Sequence, residues 1–274
     1  MSERYINRNI LPDRLRKELR KYEKSPKRYE TELEILYAEI EEKHPLALKA
    51  PAKKLKSSDL PPDLSGIFSG IGEKSATREV KALKLKGVLA RWFGEIEKYE
   101  YLMLLRGDKG AGKSSFLFQI ADFFAGNGMN AGFFSLEMDK ESKLIKEDYR
   151  KRNIKPANEK RILVASELPE GLKTIQKAAE AFDVILIDSW QKVTGAKQQD
   201  IDRLRKAHKE TIFIVITQSN TAGTTRGGNM ADFDASAVAH VYEGGMATFE
   251  KNRYASESGL VYSVFEGKIV DAED

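Results

Sequence analysis

The chain has 274 residues, 41% hydrophobic and 32% charged, with a net charge of +4. That composition suits a soluble globular protein holding one α/β domain of about 150–200 residues plus an appendage. The absence of cysteine excludes disulfides and thiolate metal sites and fits a cytoplasmic location, and no stretch reaches the roughly 18–20 apolar residues of a membrane span.

The N-terminus, "MSERYINRNILPDRLRKELR", carries charge without the apolar core of a secretory signal. Residues 1–60 hold 15 basic and 11 acidic side chains, so the whole excess of charge lies there. Such a small excess suits nucleic acid or a solvated helix surface about equally. Leu15, Leu19 and Tyr22, then Leu33, Leu36, Tyr37 and Ile40, follow helical spacing over residues 12–43, and Pro26 predicts a break into two helices. Each apolar stripe is too narrow for a core of its own. It must dock on the main domain, on another subunit or on a partner protein. Residues 44–65, with four prolines, read as a linker or strap, and a compact domain is expected from residue 66 to 274.

From Tyr99 onward, short apolar runs alternate with longer helical patterns. Strands are expected at 100–106, 131–136, 161–165, 183–188 and 211–217, and helices at 113–125, 140–152, 170–181 and 199–209. The alternation predicts an α/β fold with a mostly parallel sheet covered on both faces. The tail, "AVAHVYEG", "MATFEKNR" and "LVYSVFEGKIV", changes to short strands joined by tight turns, expected as antiparallel hairpins that extend the sheet.

"YLMLLRGDKGAGKSSFLFQIADFF" contains Gly107-x-x-x-x-Gly112-Lys113-Ser114, a complete Walker A motif between an apolar run and an amphipathic helix. Residues Gly107, Asp108, Lys109, Gly110, Ala111, Gly112, Lys113, Ser114 and Ser115 would wrap the phosphates of ATP with backbone N–H groups at a helix N-terminus. Lys113 would reach the β- and γ-phosphates, and Ser114 would hold Mg²⁺. In "AFDVILIDSW" an apolar strand ends in Asp188, placed to face that Mg²⁺. In "AGFFSLEMDK" Glu137 follows the strand after the phosphate-loop helix. By pattern alone it reads equally as a base for the attacking water or as an ordinary helix-start residue.

"SLEM", "LIDSWQ", "VITQSN" and "KNR" occur in this order over about residues 80–270, and together they resemble the RecA-family ATPases, in particular the RadA and DnaB-helicase branch. The resemblance implies a RecA-like P-loop fold preceded by a short helical segment, Glu137 as catalytic base, and Gln218 as the γ-phosphate sensor that signals to DNA. It also implies that Lys251 and Arg253, two apart on a late strand and so on one side of it, reach a neighbouring subunit's site as a trans finger. A solvated strand end is the plainer reading of that pair. A finger in trans calls for a ring, expected as a hexamer. The DNA loops implied are "SWQKVTGAKQQ" and "SNTAGTTRGGNMADFD", with Lys192, Lys197 and Arg226 as candidate contacts to single-stranded DNA. Trp190 and His240 read as packing or interface residues. The sequence lacks the cysteines of RadA's zinc module, and residues 1–65 are too short for DnaB's helical domain. The function expected is a DNA-dependent ATPase motor; the alternatives are a nucleotide-switched regulatory ATPase or a helicase-loading accessory protein whose N-terminal helices grip a partner.

Overall fold

The computed structural model describes Ile6 and residues 8–48, 81–218 and 230–270. The chain divides into two compact units, Met1–Thr77 and Arg78–Asp274. The boundary expected between residues 65 and 66 lies outside the described residues, as does most of the expected strap. The strap's first residues, Pro45–Leu48, form a 3-10 turn.

In the first unit, α1 (Asp13–Tyr22) and α2 (Glu30–Lys43) flank the break at Pro26. Arg14, at the start of α1, pairs at 2.5 Å with Glu39 near the end of α2, so the helices run antiparallel. Leu15, Leu19, Leu36 and Ile40 bury against one another with Leu11 and Ala47. The two narrow stripes therefore cover each other, where the sequence suggested that each needs an outside surface. Two half-faces brought together by a short turn remove both from water.

Among the described residues, the second unit is built on a nine-stranded sheet in the order β3-β2-β4-β5-β1-β6-β7-β8-β9. The parallel strands are β1 (Leu102–Gly107), β2 (Ala131–Ser135), β3 (Ile162–Ala165), β4 (Val184–Asp188), β5 (Ile212–Ile216) and β6 (Ala237–Tyr242). The antiparallel extension is β7 (Met246–Asn252), β8 (Val261–Ser263) and β9 (Lys268–Val270). The central strands are continuous apolar runs because both faces are covered. Met103, Leu105, Leu186 and Ile214 join the core on one face, under the helix that follows β1; Leu102, Leu104, Ile187 and Val215 join the core on the other. Strand alternation assigns each side chain to its face.

Two features differ from the sequence expectation. A short helix, α3 (Val88–Phe93), precedes β1 and buries Leu89, Trp92 and Phe93; Trp92 stacks on Phe249 of β7 at 3.8 Å. No element was expected there, because six residues show too little periodicity. The helix expected over 140–152 is a π-helical turn at Leu144–Tyr149 followed by one α-turn, α5 (Arg150–Asn153). A wider turn keeps nearly the same apolar spacing over six residues, so the pattern did not distinguish them.

Candidate phosphate-binding active site

β1 delivers the chain into the loop Gly107–Ser115, and α4 (Lys113–Gly126) leads away from it. The loop is fixed from the β6 side: Asp108 N–H donates to the Val241 carbonyl at 3.1 Å, and Glu243 N–H donates to Asp108 Oδ2 at 3.2 Å. Asp108, Lys109 and Gly110 are exposed, Ala111 is buried, and Gly112 through Ser115 are half-buried where α4 begins. The first N–H groups of α4 have no intrahelical acceptor and point into the loop. Lys113 Nζ donates to the carbonyls of Gly107 at 3.0 Å and Asp108 at 2.6 Å. Its ammonium thus lies inside the loop, on weak neutral acceptors, where an anion would replace them. Burial pushes the Lys113 amine below its ordinary range, against the pull of Asp188, Glu137 and Asp108.

Period-two alternation brings the remaining groups to α4. Asp188 shares a face with Val184 and Leu186; Gln218 shares one with Ile212, Ile214 and Ile216; Glu137 continues the face of Ala131 and Phe133. All three belong to the face that α4 covers, at the carboxyl ends of β4, β5 and β2, where parallel sheets hold ligands. Ser114 Oγ donates to Asp188 Oδ2 at 2.7 Å. Glu137 Oε1 accepts from Ser189 Oγ at 2.7 Å and from Gln218 Nε2 at 3.2 Å. Ser189, next to the Asp of "LIDSW", was not singled out in the sequence. Its place beside Asp188 was the available signal.

Asp188 is buried, and burial raises its carboxyl above the usual carboxylate range; Glu137 raises it further, while Ser114 and Lys113 oppose this. A buried carboxylate touching a hydroxyl is a hard-oxygen pair suited to Mg²⁺. Among the described residues no group of three or more acidic or histidine side chains would hold a metal unaided. A cation here would share its coordination with substrate phosphates, which is how Mg²⁺ is commonly bound. The residues fit.

Lys251 and Arg253 lie elsewhere. Lys251 aligns with Val238, and Arg253 N–H donates to the Ser236 carbonyl at 3.1 Å, so both sit at the amino end of β6, opposite the phosphate loop. Lys251 Nζ donates to the carbonyls of Asp232 at 2.7 Å and Phe233 at 3.0 Å, and Arg253 donates to Phe233 at 3.1 Å. These carbonyls belong to α8 (Met230–Asp234), which follows α6 (Leu172–Ala181) and α7 (Gln199–Ala207) in the chain and ends just before β6. A bulge opposite Val238 and Ala239 displaces Glu250, which reaches Arg106 at 3.5 Å and His240 at 3.5 Å. Arg106, the residue before the loop, also pairs with Asp232.

Lys192 and Lys197 are exposed on the connection between β4 and α7. Arg226 lies outside the described residues. Trp190 is 3% exposed and packs in the core of the face opposite α4, a packing role as expected. His240 is half-buried and faces Glu250 and, at 3.9 Å, Asp108. Among the described residues, no helix is long and apolar enough to cross a membrane.

No family model matches the sequence, and no curated protein matches it. Solved structures do. The chain is similar to the flagellar accessory protein FlaH from Methanocaldococcus jannaschii, at 15% identity and TM-score 0.54, over 71% of this chain and 100% of that one. It is also similar to a KaiC-like protein from Pyrococcus horikoshii, at 18% identity and TM-score 0.53, over 70% of this chain and 99% of that one. These likenesses show the fold: a RecA-like α/β fold with a mostly parallel sheet and antiparallel hairpins at its carboxyl end.

Proposed function

We propose that the chain hydrolyses MgATP between the subunits of a cytoplasmic ring, a hexamer, and couples hydrolysis to movement on single-stranded DNA, as in the DnaB and RadA branch. The observation that carries the reading is the double grip on Glu137. Ser189 and Gln218 both donate to Oε1, beside the Ser114–Asp188 pair. Oε2 is left to accept a proton. The exposed Glu137 carboxylate takes that proton from a water molecule as the water oxygen attacks the γ-phosphorus and ADP leaves. Lys113 exchanges its loop carbonyls for β- and γ-phosphate oxygens. Ser114 and Asp188 would hold Mg²⁺, which when bound would supply positive charge against those oxygens.

The trans finger is the remaining part. Roughly 17 Å of extended chain separates Ser236 from Val241 at about 3.4 Å per residue. Arg253 is beside the first and the phosphate loop beside the second, so the pair cannot serve its own loop. Lys251 and Arg253 would serve the loop of a neighbour. Gln218 connects the two activities: its amide holds Glu137, and the chain directly after it is the segment with Arg226. Lys192 and Lys197 would add backbone contacts with DNA. Residues 1–65 would dock a partner protein or an adjacent subunit.

The test is steady-state ATP hydrolysis with and without single-stranded DNA, at low and moderate salt. The motor reading expects stimulation that fades as salt rises. A slow rate indifferent to DNA would favour a nucleotide-switched or accessory ATPase instead.

A further inference from the structure

The turn after β8 carries an aromatic ring at the mouth of the phosphate loop. Phe265 is 64% exposed, yet its position is tightly set. A Cβ on Gly112 would lie 3.0 Å from Phe265 Cε1, and a Cβ on Gly245 would lie 2.7 Å from Cδ2. Both glycines have positive φ, +96° and +80°, and both leave the room that the ring occupies. The backbone beneath it is pinned. Val264 N–H donates to the Gly245 carbonyl at 2.8 Å, Gln119 Nε2 of α4 donates to the Val264 carbonyl at 2.8 Å, and Tyr262 OH donates to Gln119 Oε1 at 2.9 Å. Tyr262 in turn stacks on Phe116 of α4 at 5.2 Å. One part of the ring thus rests on a glycine floor that includes the last loop residue before Lys113, and the rest is open to water.

From this we infer that Phe265 is the platform on which the base of the bound nucleotide stacks. This rests on the phosphate-loop reading above. With the phosphates on Gly107–Ser115, the ribose and base leave the loop, and the exposed ring against Gly112 offers them an apolar face. An exposed aromatic costs solvation that a stacked base would recover. Every base has a π-face, and the phenyl ring has no hydrogen-bonding atom, so its contribution would be equal for ATP and GTP.

The test is isothermal titration calorimetry of the full chain with MgATP and with magnesium tripolyphosphate, which has the phosphates and no base. Phe265→Ala is expected to weaken MgATP binding roughly tenfold, as lost stacking does, and to leave tripolyphosphate binding unchanged. Phe265→Trp should restore MgATP binding. Unchanged MgATP affinity in Phe265→Ala would overturn the inference and leave the ring as a surface or subunit contact. Equal loss for both ligands would overturn it too, because the ring would then only support the loop. If the unaltered chain bound neither ligand, the phosphate-site reading itself would fall first.

Discussion

The two edges of the parallel sheet carry charge in opposite ways. At the carboxyl edge, Ser114 bonds Asp188 and both Ser189 and Gln218 bond Glu137, at 2.7–3.2 Å, beside Lys113 on its loop carbonyls. There one ammonium, Lys113, faces two carboxylates, Glu137 and Asp188. At the amino edge, Lys251 and Arg253 stand side by side on neutral carbonyls of α8. Burial and the charge of Arg253 both lower the Lys251 amine, with Asp234 opposing them. In the proposed function, the first edge supplies the loop, the metal pair and the base. The second holds two cations whose side-chain hydrogen bonds, among the described residues, are to backbone oxygen. A site short of positive charge and a surplus of positive charge on the far edge are complementary halves, and head-to-tail contact between copies would join them. Asp232 touches both edges, since its side chain pairs with Arg106 and its carbonyl accepts from Lys251.

The sharpest way to break this complementarity is to remove the surplus. Arg253→Ala should reduce turnover by about 10³–10⁵ while leaving ATP binding intact, because the finger acts on charge that develops in the transition state. Normal turnover would make the amino edge an ordinary solvated strand end. Next is the carboxyl edge. Glu137→Gln should keep the bonds from Ser189 or Gln218 yet lose the base, costing about 10²–10⁴ in kcat; a pre-steady-state measurement with no slowing of the chemical step would exclude Glu137 as the base.

Asp188→Asn sharpens the contrast in stability. Burial raises the Asp188 carboxyl, so the ionised form is disfavoured in the folded state. Its cost is present above the raised pKa and disappears as pH falls through it. Without Mg²⁺ at neutral pH the variant should therefore melt higher, by about 2–4 °C for each kcal/mol relieved, and the gap should close on acidification. Hydrolysis should be lost. A variant that melts lower at neutral pH would show that the carboxylate stabilises the empty loop. The smallest effect belongs to the exposed lysines. Lys192→Ala and Lys197→Ala should each reduce the salt dependence of DNA binding by about one unit of slope; unchanged slopes would move the DNA contact elsewhere.

Much of the carboxyl edge was legible in the sequence because its parts sit at strand ends, where alternation and the phosphate-loop spacing locate them. Asp188 closes an apolar run, and Gln218 follows the next one. The amino edge was only half legible. The spacing of Lys251 and Arg253 predicted one side of a late strand; Arg253 lies one residue past β7, and the bulge at Glu250 and the carbonyls of α8 depend on contacts across the sheet. Ser189 was missed because a serine beside a strand-end aspartate has no periodic signature, and Phe265 because its role arises from Gly112 and Gly245 far away in sequence. The pairing of α1 with α2 was hidden for the same reason: each stripe was visible, its cover was not.

The most direct test of complementary halves is to mix Lys113→Ala subunits with Arg253→Ala subunits and measure ATP hydrolysis. Each variant alone should be inactive. In mixed assemblies some interfaces join the intact loop of an Arg253→Ala subunit to the intact pair of a Lys113→Ala subunit, and activity should return in proportion to those interfaces. Mixtures that co-assemble and stay inactive would contradict the trans arrangement.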